Sequence, residues 1–324
     1  MGVLVGLSLL GAGLVQAQTA SSGSVAFPTK PVRILIGFPA GGPLDQHARL
    51  LADRLQQVLG QPIIIDYKAG AGGTVGAQEV MKATPDGHTL LLANTGTMVI
   101  NPALYTKLPY STLRDFVPVA RTAMQPLAFL VHPSLPVGNL REFIAYARTR
   151  PGQLNYGSAG NGGISHLVPE MLKSSAGLFL VHIPYRGSAP AFTDLMSGQV
   201  QFMAESIPQA AAYHKQGRVR AIGVTSRQRN PALPDTPTAI ESGLKDFEVV
   251  GFYGFLAPAG TPREVVAKLS DAFRQVLATP EIRERMVTQG ADPAFLGAEE
   301  FRSFLSAELP RWAQAVANSG AKLD

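Results

Sequence analysis

An α/β fold in two lobes around a cleft is what this sequence predicts, and three observations predict it. Short apolar runs alternate with stretches whose apolar residues recur at helical spacing. The alternation runs as two successive series, with a break near residue 125. Four strand-to-helix joints carry glycine, in the position where open α/β sheets bind ligands.

The first series opens with Val32–Phe38 (VRILIGF), a buried strand, followed by Leu44, Ala48, Leu51, Leu55, Val58 and Leu59 on one helical face. Ile63–Asp66 is a second strand, then come a glycine-rich loop and a helix from about Val75. Thr89–Ala93 is a third strand. After Leu127–His132 the second series gives helix Leu140–Arg150, a strand near Asn155–Tyr156, a helix from Ile164 and strand Leu180–His182. Helix Ala189–Met196, strand Val200–Ala204, helix Ile207–Gln216 and strand Val219–Thr225 complete it. RQRNPALPDTPTAIESG is too rich in Pro and Gly for a long element and reads as a surface connection. Val249–Leu256 is a further apolar run, and the remainder reads as helices without strand partners of their own. The chain therefore crosses near Thr122–Pro126 and returns near Val249–Phe252. One lobe is expected from residues 27–124 with 251–324, and the other from 125–250, joined by a two-segment hinge.

With 324 residues, each lobe can bury its own core. The absence of Cys excludes disulfides, thiolate metal sites, a cysteine nucleophile and an N-terminal lipid anchor. The net charge of +5 is spread without a basic stripe, so no nucleic-acid partner is expected. Val3–Val15 is too short to span a bilayer and fits the apolar core of a signal peptide over residues 1–17. Val15-Gln16-Ala17 supplies the small-residue cleavage site, although no Lys or Arg precedes the apolar run. The expected compartment is the periplasm.

The four loops are FPAGGPLDQHAR (38–49), DYKAGAGGTVG (66–76), YGSAGNGG (156–163) and PYRGSAPA (184–191). Glycine lets backbone approach a ligand, and the exposed N–H groups at a helix start favour an anion by about 0.3–1 kcal/mol per charge. Asp45 can serve the ligand or simply complement its own helix. GAGGTVG is spaced G-x-G-x-x-x-G, which departs from the dinucleotide fingerprint, and no acidic residue ends the following strand. Ser158 raises the question of a hydrolase, but Tyr156 stands where the nucleophile elbow needs Gly. His166 lies on the next helix with no acidic residue obviously placed to orient it. The six histidines form no metal-binding pair, so neither metal nor cofactor is expected.

The strings FPAGGPLDQHAR and DYKAGAGGTVGAQEVMKATPDGHTLLLA, followed by LPYSTLRDFVPVA, LNYGSAGNGGISHL, HIPYRGSAPAFTDLMSGQVQFM and GFYGFLAPAGTP, resemble the Bug family. These are the periplasmic solute-binding receptors of tripartite tricarboxylate transporters. The resemblance extends from about Phe27 to the C-terminus. It implies a two-lobed periplasmic-binding-protein fold of the Venus-flytrap type, without enzymatic activity, that closes on a small mono-, di- or tricarboxylate, aliphatic or aromatic. It also implies a monomer that delivers the ligand to membrane transporter subunits. Carried over position by position, the resemblance points to Phe38, Ala40, Gly41, Gly42 and Asp45 in one lobe. Facing them are Ser158, Ala159, Gly160, Gly162 and His166, with Thr95, Gly96, Tyr185, Arg186 and Glu205 as further candidates. Three departures concern the ligand: Leu44 stands where the family usually has Thr, Tyr67-Lys68-Ala69 replaces Asn-Arg-Pro, and Phe252 replaces Trp. The apolar Leu44 favours a less polar acid. Alternative readings are a periplasmic hydrolase using Ser158 and His166, and a receptor for sensing rather than uptake.

Overall fold

The computed structural model describes residues 1–3 and 26–321, so the expected leader falls, from residue 4 onward, outside the described residues. The chain begins with β1 (Val32–Ile36), α1 (Pro43–Leu59), β2 (Ile63–Tyr67), α2 (Thr74–Met81) and β3 (Thr89–Asn94). A π-type turn (Gly96–Ile100) runs into α3 (Asn101–Leu104), and α4 (Thr112–Asp115) leads into the long strand β4 (Phe116–Val131). The second series is α5 (Leu140–Arg148), β5 (Asn155–Ser158), α6 (Ile164–Ala176), β6 (Val181–Pro184), α7 (Ser188–Met196), β7 (Phe202–Ser206), α8 (Ile207–Lys215) and β8 (Arg220–Val224). The chain ends with β9 (Val250–Pro258), α9 (Arg263–Leu277), α10 (Pro280–Thr288), β10 (Asp292–Leu296) and α11 (Ala298–Ser319).

The two lobes share one plan. In the first, β1 lies between β2 and β3, parallel to both, and β9 pairs antiparallel with β3. In the second, β5 lies between parallel β6 and β7, and β4 pairs antiparallel with β7. In each lobe the central strand's neighbours are reached in opposite directions, which opens a crevice at its carboxyl end. β4 belongs to both sheets. Its residues Phe116–Pro126 pair with β9, and Leu127–Val131 pair with β7. Two adjacent antiparallel segments, around Gln125–Pro126 and Val250–Gly251, therefore carry the backbone from one lobe to the other.

Apolar periodicity explains the packing. Leu44, Ala48, Leu51 and Leu55 of α1 join Val265, Leu269, Phe273 and Val276 of α9 on one face of the first sheet. Phe192, Leu195, Met203 and Ile207 form the corresponding core in the second lobe. Three features differ from the sequence expectation. The C-terminal part contributes a strand, β10, which pairs antiparallel with β4; its run DPAFL has Pro and Ala and only two large apolar residues, so its pattern is weak. The 226–248 connection is irregular but not superficial: Leu233, Ala239, Leu244 and Phe247 are buried, with Phe247 packed on Phe129. Helix α11 packs on β4 and the 96–104 segment but also reaches α6, so it spans both lobes. Its Trp312 is fully buried and donates Nε1–H to Glu308 Oε2 at 2.8 Å.

Candidate ligand-binding cleft

Between the lobes lies a cavity of about 370 Å³. Phe38, Gly72, Asn94, Thr95, Gly96, Asn101, Leu104 and Tyr105 line it from the first lobe. Gln125 and Gly251 form its hinge wall, and Asn161, Gly162, Gly163 and Ile164 close it from the second lobe. A second cavity of about 430 Å³ adjoins it through Phe38 and Asn94 and is lined by Pro39, Ala40, Gly42, Pro43, Leu44 and Tyr253. Among the described residues no charged side chain lines either one.

In the first lobe two glycine loops pack backbone to backbone. A Cβ on Gly37 would lie 2.6 Å from Gly73 Cα, and one on Gly76 would lie 2.7 Å from Gly37 Cα. The GAGG loop thus chiefly supports the first loop, and of its glycines only Gly72 lines the cleft. Thr97 Oγ1 and Asn101 Nδ2 donate to Gly72 O at 3.1 and 3.0 Å, fixing the GAGG loop to the turn after β3. Asn94 Oδ1 accepts from Thr97 N at 3.0 Å, which leaves Nδ2 without a protein partner among the described residues. Thr95 is buried, and its Oγ1 accepts from Phe252 N at 2.7 Å across the hinge strands.

Asp45 does not line the cleft. Its carboxylate braces the loop from behind, accepting from Gly41 N at 2.7 Å, Tyr67 Oη at 2.6 Å and Arg49 Nε at 2.8 Å. Burial would raise its pKa, but the bonds from Tyr67, Gly41 and Arg49 outweigh burial and hold it below the usual carboxylate range. Tyr67, noted in the sequence only as a departure, proves to be part of this brace. Gly41 takes φ +84°, a left-handed conformation suited to glycine.

The second-lobe loop is held differently. Ser158 is fully buried, with Oγ 2.7 Å from His182 Nε2 and 3.1 Å from Gly160 O. Its histidine is therefore His182, and His166 serves the loop instead, Nδ1 accepting from Gly162 N at 3.0 Å. The two imidazoles stack with centroids 3.8 Å apart and planes within 6°, and Tyr156 stacks on His182. Burial, then the nearby His166 and Lys173, push His182 down to about 3, and burial lowers His166 as well, so both rings are neutral. Glu170 bonds Tyr156 Oη and Lys173, and among the described residues no carboxylate bonds either ring. Ser158 is buried away from any substrate and its histidine has no carboxylate partner among the described residues, so the arrangement a hydrolase needs is not formed. Ala159 N donates to Ser165 Oγ at 3.0 Å and Ala159 O accepts from Gly187 N, so the loop also rests on the PYRG segment.

Tyr185 donates to Asp194 Oδ2 at 2.6 Å, and burial with that carboxylate pushes its phenol up to about 12. Arg186 is exposed and forms no hydrogen bond or ion pair among the described residues. Glu205 accepts from Ser188 Oγ at 2.5 Å and Ser206 N at 2.8 Å at the start of α7. Thus Phe38, Ala40, Gly42, Thr95, Gly96 and Gly162 reach the cavities. Asp45, Ser158 and His166 stand behind them, and Tyr185, Arg186 and Glu205 line neither cavity. Sequence reasoning missed Asn94, Asn101, Leu104 and Gln125, which lie outside the glycine motifs, and Asn161, which sits within YGSAGNGG but was passed over for its glycines.

The start of α6 is open chemically. Its N-cap is Gly163, no side chain caps it and its first turn has no acidic residue. The N–H groups of Ile164 and Ser165 therefore lack an intrahelical acceptor. Helix α1 also starts at an uncapped glycine, Gly42, but has Pro43 at its first position and Asp45 in its first turn. Leu104 of the first lobe lies against Gly162 of the second: a Cβ on Gly162 would fall 2.3 Å from Leu104 Cδ2. Among the described residues no His, Asp and Glu cluster could hold a metal, and no helix is long and apolar enough to cross a membrane.

Comparison with known proteins matches this arrangement. The family model described as the tripartite tricarboxylate transporter family receptor covers residues 47–320. Protein BugT of Bordetella pertussis is 32% identical over 99% of this chain and 97% of its own length. Among solved structures, R. palustris Rpa4515 with adipate is 32% identical with a TM-score of 0.78, covering 92% of this chain and 100% of that one. MatC of Rhodopseudomonas palustris, with bound malate, is 35% identical with a TM-score of 0.73, covering 90% and 100%. The fold is accordingly the two-lobed binding-protein fold, and these relatives are solute-binding receptors rather than enzymes.

Proposed function

This chain belongs to the tripartite tricarboxylate transporter receptor family, and on that premise we propose that it is a periplasmic receptor that encloses a small organic acid and delivers it to the family's membrane transporter. The observation that carries the reading is the uncharged cavity between the lobes, walled on one side by the uncapped start of α6. A carboxylate there would meet main-chain N–H groups and the amides of Asn94, Asn101 and Asn161, with no cation to release. Charge-assisted hydrogen bonds of this kind, together with enclosure, suffice for a dissociation constant of about 1 µM, near −8.2 kcal/mol.

The lobe boundaries implied are 124/125 and 250/251, where β4 and β9 pass side by side from one sheet to the other. Export through a leader ending at Ala17, release as a monomer and docking on transporter subunits belong to the same proposal. The adipate with Rpa4515 and the malate bound to MatC support an acid as ligand.

The experiment is a thermal-shift panel of aliphatic mono-, di- and tricarboxylates beside aromatic acids, on residues 18–324. An acid at about 100 times its dissociation constant should add roughly 2.7 kcal/mol and raise the melting temperature by several degrees. No shift from any acid at millimolar concentration would sink the proposal. Gly162→Ala should weaken the best acid at least tenfold, because the added methyl meets Leu104 and the position has φ +74°.

A further inference from the structure

The two adjoining cavities differ in chemistry. The one between the lobes carries the amides of Asn94, Asn101, Gln125 and Asn161. Its neighbour is walled by the rings of Phe38, Pro39, Pro43 and Tyr253 and by the side chain of Leu44, which is 5% exposed. Only Asn94 and the phenol of Tyr253 add polar side-chain atoms to this second space.

From that contrast we propose that the receptor selects acids with one carboxylate and an apolar body, such as an aryl or medium-chain monocarboxylate. The body occupies the cavity beside Leu44, and the head lies between the lobes. This rests on the receptor reading above and adds the substrate class.

A second carboxylate would have to enter the cavity beside Leu44, and three features there oppose it. The helix end at its wall, α1, has no N–H at its first position because Pro43 stands there. The same first turn already contains the buried carboxylate of Asp45, which offsets the positive end of the helix. Arg49, one turn further along α1, is engaged by Asp45 and Tyr67. A charged group desolvated against Pro39, Pro43 and Leu44 would lose water and gain no charged partner, with only the neutral Asn94 and Tyr253 side chains at hand. An apolar body gains from burial in the same place. Together the cavities are large enough for a small acid of this kind.

The test compares hexanoate and benzoate with malate and adipate by calorimetry on the wild-type chain, Leu44→Thr and Leu44→Met. The wild type should bind hexanoate or benzoate at least tenfold more tightly than malate. Leu44→Thr should lose about tenfold for the monoacids and little for malate, whereas Leu44→Met, which keeps an apolar wall of similar volume, should retain the wild-type preference. A thermal melt of each variant checks that the lobe remains folded; if Leu44→Thr does not fold, the wild-type and Leu44→Met preferences decide. Tighter binding of malate or adipate than of both monoacids overturns the inference and leaves the receptor reading intact. Monoacid binding that Leu44→Thr does not change overturns the placement of the body. Binding of none of the four acids overturns the inference, and only silence from the wider acid panel as well would overturn the receptor reading.

Discussion

The two lobes present the same element, a glycine loop running into a helix, yet each braces it with opposite electrostatics. In the first lobe the brace is ionic. Asp45 collects Gly41 N–H, the Tyr67 hydroxyl and Arg49, and glycines of two loops touch at their backbones. In the second lobe the brace is neutral, a stack of Tyr156, His182 and His166 with Ser158 bonded to one ring and Gly162 N–H to the other. An ionic brace near a helix start offsets the field an anion would use, whereas a neutral stack leaves that field available. The difference agrees with the proposed placement, the carboxylate head beside the start of α6 and the apolar body beside Leu44.

The most severe way to break the first brace is Gly37→Ala. The new methyl would lie 2.6 Å from both Cα and O of Gly73, and backbone on both sides cannot yield as a flexible side chain would. A loss of about 3 kcal/mol or more is expected in urea unfolding, with weakened ligand binding. A loss below about 1 kcal/mol would mean that the two loops separate at little cost.

Acidification tests the second brace. Unfolded histidines titrate at about 6.5. Burial with His166 and Lys173 holds His182 down to about 3, and burial does the same for His47, which lies outside this brace on α1 of the first lobe. A folded-state value below the unfolded one means that the unfolded chain binds more protons between these limits. The stability from keeping these rings neutral is thus full above ~6.5 and lost progressively as pH falls towards 3. The enclosed His47 should contribute a slope of up to about 1.4 kcal/mol per pH unit, and the partly exposed His182 less. The ionic brace behaves differently: Asp45 lies below the usual carboxylate range, so its contribution persists until pH falls under ~4. Unfolding free energies at pH 7, 6 and 5 should therefore decline, with a shallower decline in His182→Gln. Constant stability over that range would show that the rings accept protons in the folded state.

Asp45→Asn probes the ionic brace more gently. The amide keeps one acceptor oxygen but cannot satisfy Gly41, Tyr67 and Arg49 together, so about 1–2 kcal/mol of stability should be lost. Monoacid affinity should fall only severalfold, since Asp45 lines neither cavity. A hundredfold loss would make Asp45 a ligand contact.

Much of this architecture is legible in the sequence because its elements follow one rule at a time. VRILIGF is largely buried and, past Arg33, reads as an apolar run, and α1 repeats Leu and Ala at helical spacing. β10 is hidden because DPAFL borrows its pairing from β4, a partner some 170 residues away. The candidate cleft is legible where glycine loops lead into helices, at Gly42 and Gly162, and illegible where roles depend on tertiary neighbours. Nothing local distinguishes His182 from His166 as the partner of Ser158. The strand pairing of Tyr156 with His182 decides it, by bringing His182 beside the loop. In the same way, Tyr67 becomes a brace only because β2 ends beside α1.

The smallest effect sharpens the comparison most. Gly157 precedes Ser158 much as Gly37 precedes the first loop, at the carboxyl end of the central strand of its lobe. A methyl on Gly157 would meet Tyr185 Cε2 and Val200 Cγ2 at 3.4 Å, which is ordinary van der Waals distance, and neither neighbour is backbone. Its φ is not in the left-handed region, so alanine adds no backbone strain there. Alanine also restricts the unfolded chain, an effect worth about 0.4–1 kcal/mol in favour of folding. Gly157→Ala should therefore leave the urea midpoint unchanged or slightly raised, against the collapse expected of Gly37→Ala. Equal damage at the two positions would mean that the second loop, like the first, depends on close backbone packing rather than on its stacked rings.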